Sequence, residues 1–165
     1  MKQTYLLLLG TLMSSLFSLE LRAQDIKPEI FYKLESPLGL VVDNRSSEEN
    51  NQGIYLQKNE KNNEGQLWQI IPPNDGYFVI ANKYFDKGLD NSGRNQGRGN
   101  AVIQWNFELF NPNQHWKFEQ TGTGAYIITQ RNSRMHLAFN GDEAEGTPLF
   151  QLPNVAQTGR LVPTN

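Results

Sequence analysis

Residues 76–118 read GYFVIANKYFDKGLDNSGRNQGRGNAVIQWNFELFNPNQHWKF and contain the pattern from which the fold can be predicted. Two apolar runs, at 77–80 and 101–105, bracket a middle that is rich in Gly and Asn. Asp90 lies in that middle, and Asn113-Gln114-His115-Trp116 closes the segment. Short runs of β-forming residues separated by turn residues predict strands rather than helices.

The same features recur elsewhere in the chain. A Gln-any-Trp tripeptide occurs at 66–68 and again at 114–116, and the acids Asp43 and Asp90 precede the two copies. A third copy, around Ala138, lacks the acid. Repetition at a fixed period indicates a repeat architecture. We therefore predict an all-β fold of three pseudo-repeats, each with about four strands, that form a closed barrel of roughly twelve strands.

The N-terminal residues 1–23 differ from the rest of the chain. Lys2 is followed by an apolar region that reaches Phe17, and Ala23 is a small residue suited to cleavage. This pattern is typical of a secretory signal peptide, and it is short for a membrane span, which needs about 20 apolar residues. We expect a secreted protein whose single domain covers residues 24–165. A retained N-terminal anchor is the alternative.

Composition restricts the function classes. The formal net charge of −2 disfavours nucleic acid and anionic membrane surfaces as partners. No Cys is present, which removes thiol nucleophiles and thiolate metal sites. His115 and His136 are isolated, so we expect neither a metal nor a cofactor. No acid pair or nucleophile motif is marked out by spacing, so we expect a protein that is not an enzyme.

The order of motifs in the second repeat resembles the ricin B-type lectin family. Leu89-Asp90, residues 102–105 and residues 113–116 carry the resemblance, and the repeated Gln-any-Trp motif is that family's mark. The resemblance covers about residues 30–162. It implies a β-trefoil of three units whose usual activity is binding sugars, often of galactose type.

The resemblance also implies roles for four residues of the second repeat. Trp105 would stack on the C–H face of a pyranose, and the Asp90 carboxylate would accept hydrogen bonds from neighbouring hydroxyls. Asn113 would add a hydrogen bond, since an amide both donates and accepts. Gln114 would orient Asp90 rather than contact the sugar. Many relatives have a polar residue at the place of Ile103, so one contact is expected to be lost.

The other two repeats depart from this pattern. The first keeps Asp43 but has Lys58 in the place of Trp105 and Gly65 in the place of Asn113, so we expect it to be silent. The third has Ala138 for the acid and Leu152 for the ring. We therefore predict a single shallow site with a Kd on the order of a millimolar.

Each residue also has a simpler interpretation. Asp90 could be a turn residue only, Gln114 could satisfy backbone groups, and Trp105 could be a core or partner-binding residue. Trp68 and Trp116 are expected in the core. The rival function is a structural or protein-interaction trefoil with a decayed sugar site, because the fold does not determine function. Convergence of the candidate side chains on one exposed pocket would distinguish the two.

Overall fold

The structure is a computed structural model that describes residues 26–121, 124–139, 142–154 and 157–164. The predicted signal peptide at 1–23 and the expected start at Gln24 lie outside the described residues. Within those ranges, no helix is long and apolar enough to cross a membrane.

Thirteen strands make up the described part of the chain. They are β1 (Tyr32–Glu35), β2 (Val41–Asp43), β3 (Gln52–Gly53), β4 (Tyr55–Gln57), β5 (Gln69–Asn74), β6 (Tyr77–Asn82), β7 (Lys87–Asn91), β8 (Asn100–Asn106), β9 (His115–Thr121), β10 (Ala125–Gln130), β11 (His136–Phe139), β12 (Leu149–Leu152) and β13 (Gly159–Pro163). Single 3₁₀ turns cover Glu64–Gln66, Ser92–Arg94 and Pro112–Gln114.

Six strands form a closed barrel. Antiparallel pairs join β5 to β6, β6 to β9, β9 to β10, β10 to β13 and β13 to β1. A bridge between Tyr32 and Trp68 closes the ring beside β1 and β5. Closure removes the exposed strand edges that an open sheet would present.

The remaining strands form one hairpin in each unit. These hairpins are β2–β4, β7–β8 and β11–β12. The first unit has an extra strand, β3, which pairs with β8 of the second unit. Ile54 separates β3 from β4, and its backbone amide donates to Val102 O of the second unit at 3.2 Å. Thirteen strands therefore replace the expected twelve. The architecture is a β-trefoil with units β1–β5, β6–β9 and β10–β13, which confirms the predicted fold class.

Trp68 and Trp116 occupy equivalent places in the core. Both side chains are fully buried, as predicted. Their indole Nε1 atoms donate to Val42 O at 2.9 Å and to Leu89 O at 3.0 Å. The third unit has Gly159 at this place, beside a small apolar cavity of about 50 Å³. The two indoles thus anchor the first two hairpins to the barrel.

Buried amides join neighbouring units. Asn44 Nδ2 of the first unit donates to Gln104 Oε1 of the second at 2.9 Å. At the equivalent junction, Gln151 Nε2 of the third unit donates to Asn91 Oδ1 of the second at 2.6 Å. All four side chains are buried, so each bond matters more than one at the surface. The second hairpin, which carries the candidate site, is therefore held from both sides.

Candidate functional site

One open pocket in the second unit brings together three of the four predicted site residues. Asp90, Trp105 and Asn113 all line it, and its volume is about 470 Å³. The pocket lies between hairpin β7–β8 and the loop 107–114. Its described lining also includes Asn51, Ser92, Gly93, Arg94, Ile103, Glu108 and Asn111.

Asp90 supplies the acceptor of the pocket. It lies in β7 opposite Ile103 and is only 5% exposed. Its Oδ2 accepts from Gln114 Nε2 at 3.2 Å, and no donor in the described part of the chain reaches its Oδ1. Burial raises the pKa of the Asp90 carboxyl to about 6, and the hydrogen bond from Gln114 opposes that shift. A carboxylate with one unused oxygen faces the pocket.

Gln114 is buried behind Asp90 and does not line the pocket. Its Oε1 accepts from Glu108 N at 2.9 Å, and its Nε2 also donates to Asn106 O at 2.8 Å. Gly88 makes room for this amide, since a Cβ there would lie 2.5 Å from Gln114 Oε1. One side chain thus orients the acid and holds the loop that borders the pocket. Its hydrogen bonds to Asp90 and to the backbone of Glu108 and Asn106 are compatible with both predicted interpretations.

Trp105 supplies the apolar face of the pocket. It lies near the end of β8, opposite Gly88, and is 39% exposed. The neighbouring strand residues point the other way, because side chains alternate along a strand. Trp105 is therefore a surface aromatic, and the interpretation of it as a core residue is wrong.

Asn113 supplies an amide donor. It lies in the 3₁₀ turn Pro112–Gln114, where its backbone N donates to Asn111 Oδ1 at 3.0 Å. Its side-chain Oδ1 accepts from Asn132 Nδ2 at 3.3 Å. Its Nδ2 has no acceptor among the described residues, so it remains available to a ligand.

Five polar residues of the pocket, Ser92 among them, were not predicted from the sequence. Glu108 and Asn111 lie on the loop before Asn113, and their spacing repeats that of Glu60 and Asn63 in the first unit. That repetition is a signal that could have found them. Arg94 and Asn51 have no such signal. Asn51 comes from the first unit, and its backbone N–H donates to Gln104 O at 2.9 Å, which holds it beside the pocket of the second unit.

The structure corrects one predicted equivalence in the first unit. The strand register pairs Val41 with Gln57 in the way that it pairs Gly88 with Trp105. Gln57, and not Lys58, therefore takes the place of the ring. Asp43 pairs with Tyr55 and Asp90 with Ile103, so the connection from the acid to its partner strand is one residue shorter in the first unit. Counting the distance from Asp90 to Trp105 onward from Asp43 therefore reaches Lys58, one residue beyond the true equivalent.

The acid of the first unit is fully engaged by the protein. Asp43 Oδ2 accepts from Gln66 Nε2 at 2.9 Å and from Asn63 Nδ2 at 3.0 Å, and its Oδ1 accepts from Arg45 N. A Cβ at Gly65 would lie 2.8 Å from Asp43 Oδ1, so no side chain can be added at the place of Asn113. The acid of this unit has no unused oxygen, and no ring occupies the place of Trp105.

Three further residues named from the sequence lack the chemistry of Asp90 and Trp105. Lys58 forms an exposed ion pair with Glu145 at 2.9 Å. In the third unit, Ala138 occupies the place of the acid and Leu152 that of the ring, as the pairing of β11 with β12 shows. Within the described part of the chain, only the second unit combines an acid, a ring and an amide at these three places.

The chemistry of the pocket is that of hydrogen bonding and stacking. The described residues contain no group of three or more His, Cys, Asp or Glu that could hold a metal ion. A buried carboxylate oxygen, an amide donor and an aromatic face are arranged around an open space of about 470 Å³. These groups suit a small amphipathic molecule with hydroxyls on its rim and C–H groups on one face.

Comparison with solved structures supports the architecture. ThreeFoil, a designed threefold-symmetric protein, is 24% identical over 80% of this chain and 97% of its own, with a TM-score of 0.75. The exo-β-1,3-galactanase 1,3Gal43A from Clostridium thermocellum is 26% identical, with a TM-score of 0.77. The match covers 84% of this chain but only 31% of the galactanase chain.

A lectin is also among the similar structures. The C-half of the earthworm R-type lectin, solved in complex with GalNAc, is 20% identical over 82% of this chain and 99% of its own, with a TM-score of 0.62. No curated protein matches the sequence significantly. The model of the ricin-type β-trefoil lectin domain-like family matches residues 31–105 and 94–152. The two matches together cover most of the chain, which therefore belongs to the ricin-type β-trefoil lectin domain-like family.

Proposed function

We propose that this protein is a secreted, non-catalytic carbohydrate-binding module with one site, in the second unit, for a galactose-type sugar. The observation that carries the proposal is the meeting of Asp90, Trp105 and Asn113 at one open pocket. Three residues of complementary chemistry share this pocket, while the corresponding places of the first and third units lack the ring. An unselected surface would rarely keep all three together.

The proposed geometry follows from the shape of a pyranose. The C–H face of the sugar lies on Trp105, which excludes water from both apolar surfaces. Two neighbouring hydroxyls then point toward the Asp90 carboxylate, where charge-assisted hydrogen bonds are stronger than neutral ones. Asn113 Nδ2 donates to one of the same hydroxyls. Gln114 keeps the carboxylate in position without touching the sugar.

Two of the similar structures support this class of ligand. One is an exo-β-1,3-galactanase, and the other is a lectin in complex with GalNAc. Both names refer to galactose-type sugars. The galactanase match covers only a part of that enzyme, so its hydrolytic activity is not proposed for this chain.

The experiment is a chemical-shift titration of the domain 24–165 with galactose. Trp105→Ala and Asp90→Asn should each weaken binding at least about tenfold, because losing the stacking face or the charged acceptor costs about 1.5–2 kcal/mol of a binding free energy near −4 kcal/mol. Gln57→Ala and Lys58→Ala are the matched controls in the first unit. They should leave the galactose affinity within about twofold of wild type, a difference of about 0.4 kcal/mol.

Two results would count against the proposal. Unchanged binding by the folded Trp105→Ala variant would remove the assigned site. Absence of binding to galactose and to every sugar of a broad glycan array would favour the rival function, a trefoil that contacts proteins.

A further inference from the structure

The loop 107–114 carries a tight turn at the rim of the pocket. Asn111 N donates to Glu108 O at 3.1 Å, and Asn111 Nδ2 donates to Glu108 Oε2 at 2.9 Å. Leu109 O accepts a hydrogen bond from His115 Nε2 at 3.0 Å. Glu108 and Asn111 both line the pocket, and Leu109 and Phe110 lie between them in the chain, at the tip of the turn. The hydrogen bonds hold the turn in one conformation.

Phe110 is one of the most exposed apolar residues of the described chain. Its side chain is 76% exposed, and no ring or cation partner contacts it among the described residues. An exposed phenyl ring gains nothing for folding, since its apolar surface stays in water. Aromatic residues are enriched at binding interfaces relative to the rest of the protein surface.

The first unit shows that the turn does not require an aromatic residue. Asn63 Nδ2 donates to Glu60 Oε2 at 3.0 Å, and Asn63 Oδ1 accepts from Gly65 N at 2.9 Å. Asn111 makes the same two hydrogen bonds, with Glu108 and with Asn113 N. The tip of this equivalent turn is Asn62, an exposed polar residue. The same backbone feature therefore carries a polar tip in the unit without a ring and a Phe in the unit with Trp105.

We propose that Phe110, at the tip of this turn, forms a second subsite next to the pocket, which stacks on the next sugar of a chain whose terminal galactose-type unit lies on Trp105. The inference rests on the proposed function and specifies its ligand as an oligosaccharide of at least two units. An aromatic face beyond Trp105 can cover the C–H face of a second sugar, whereas a monosaccharide has only one sugar to stack. Glu108 and Asn111 line the pocket on either side of Phe110 in the loop and supply polar groups for the hydroxyls near the linkage.

The test compares galactose with β-1,3-galactobiose as probes in the same chemical-shift titration. Wild type should bind the disaccharide about five- to tenfold more tightly than galactose, the size expected for one added aromatic contact. Phe110→Ala should remove this gain and leave the galactose affinity within about twofold of wild type. Phe110→Tyr, which keeps a ring, should restore the preference for the disaccharide.

Asn62→Ala, at the tip of the matching turn, is the control and should change neither affinity. Equal affinities of wild type for the two probes would overturn the second subsite while leaving the proposed function intact. An equal loss of both probes in Phe110→Ala would also overturn it, because Phe110 would then act on the primary site. Failure of wild type to bind galactose would instead remove the proposed function itself.

Discussion

The two acids of the repeats show how one residue type acquires two roles. Asp43 and Asp90 occupy the same place in their hairpins, and a Gln donates to each of them. Asp43 uses both oxygens to bind neighbouring groups of the protein, so it holds the first hairpin together. Asp90 keeps one oxygen unused at an open pocket, and its burial makes the charged form costly. An Asp at the same place of the hairpin is therefore structural in the first unit and keeps an oxygen available to a ligand in the second.

Sugar binding should depend on pH through Asp90. Burial raises its pKa to about 6, and a protonated carboxyl is a weaker acceptor of hydroxyl hydrogen bonds. We expect galactose affinity to be constant above about pH 7 and to fall as the pH drops through about 6. The corresponding measurement is a set of chemical-shift titrations from about pH 4.5 to about pH 7.5, a range that spans this pKa. Affinity that is flat over this range in wild type would contradict the role of the charged form.

The same pKa shift has a consequence for stability with the opposite sign. The native carboxyl of Asp90 binds its proton more tightly than the unfolded one, since its pKa lies above the ordinary value of 3.8. Protonation of Asp90 therefore stabilises the native state at low pH, and this contribution to the free energy of unfolding is lost as the pH rises from about 4 to about 6. Through this residue, acid should thus weaken sugar binding while it stabilises the fold.

At the scale of the elements, the hairpin and the barrel have separate tasks. Trp68 and Trp116 lie inside and link barrel strands to hairpin carbonyls, whereas Trp105 lies on the outer face of β8. Trp105 lies on a hairpin strand and Trp116 on a barrel strand, so two indoles close in the sequence face different environments. Substitutions at Trp68 or Trp116 should therefore alter the core and not the stacking surface, and a substitution at Trp105 should alter the stacking surface and not the core.

Stability should depend on the buried Trp residues much more than on Trp105. Truncating Trp68 or Trp116 to Ala should lower the free energy of unfolding by about 3–5 kcal/mol, because a cavity forms and Val42 O or Leu89 O loses its donor. Trp105→Ala should cost less than about 1 kcal/mol. Urea titrations followed by circular dichroism measure all three. Comparable losses would place Trp105 in the core and argue against the proposed site.

At the scale of the whole molecule, the pocket is a property of two units together. Gln104 Nε2 of the second unit donates to Ser47 O at 2.9 Å and to Glu49 O at 2.6 Å of the first. These bonds hold the segment that ends at Asn51, which lines the pocket of the second unit. A single unit would contain the acid, the ring and Asn113, but it would lack this wall.

Gln104→Leu should therefore affect both stability and binding. The first unit has Leu56 at this place, so Leu fits the hairpin, but the carbonyls of Ser47 and Glu49 would lose their donor. We expect a loss of about 1–3 kcal/mol in unfolding free energy and weaker galactose binding. Asn51→Gly separates the two effects: the φ of Asn51 is 64°, which Gly adopts without strain, so this variant should weaken binding and leave stability nearly unchanged. A Gln104→Leu variant with unchanged stability would show that the bonds between the units contribute little.

The sequence by itself determined the features that depend on local pattern and repetition. Alternating apolar runs, turn residues and the recurring tripeptides at 66–68 and 114–116 were sufficient for an all-β fold of three units. The family resemblance that these motifs carry then pointed to Asp90, Trp105 and Asn113, which all lie within one unit. The separation of β3 from β4 at Ile54 raised the number of strands from the expected twelve to thirteen without changing the architecture.

Only the tertiary structure decided the features that depend on contacts between distant residues. The strand register placed Gln57 and not Lys58 opposite Val41, because register is set by pairing across the hairpin rather than by spacing along the chain. Whether an acid has a free oxygen depends on donors that fold against it, as the contrast of Asp43 with Asp90 shows. Asn51 reaches the pocket from another unit, and no local pattern records a contact that closing the barrel creates.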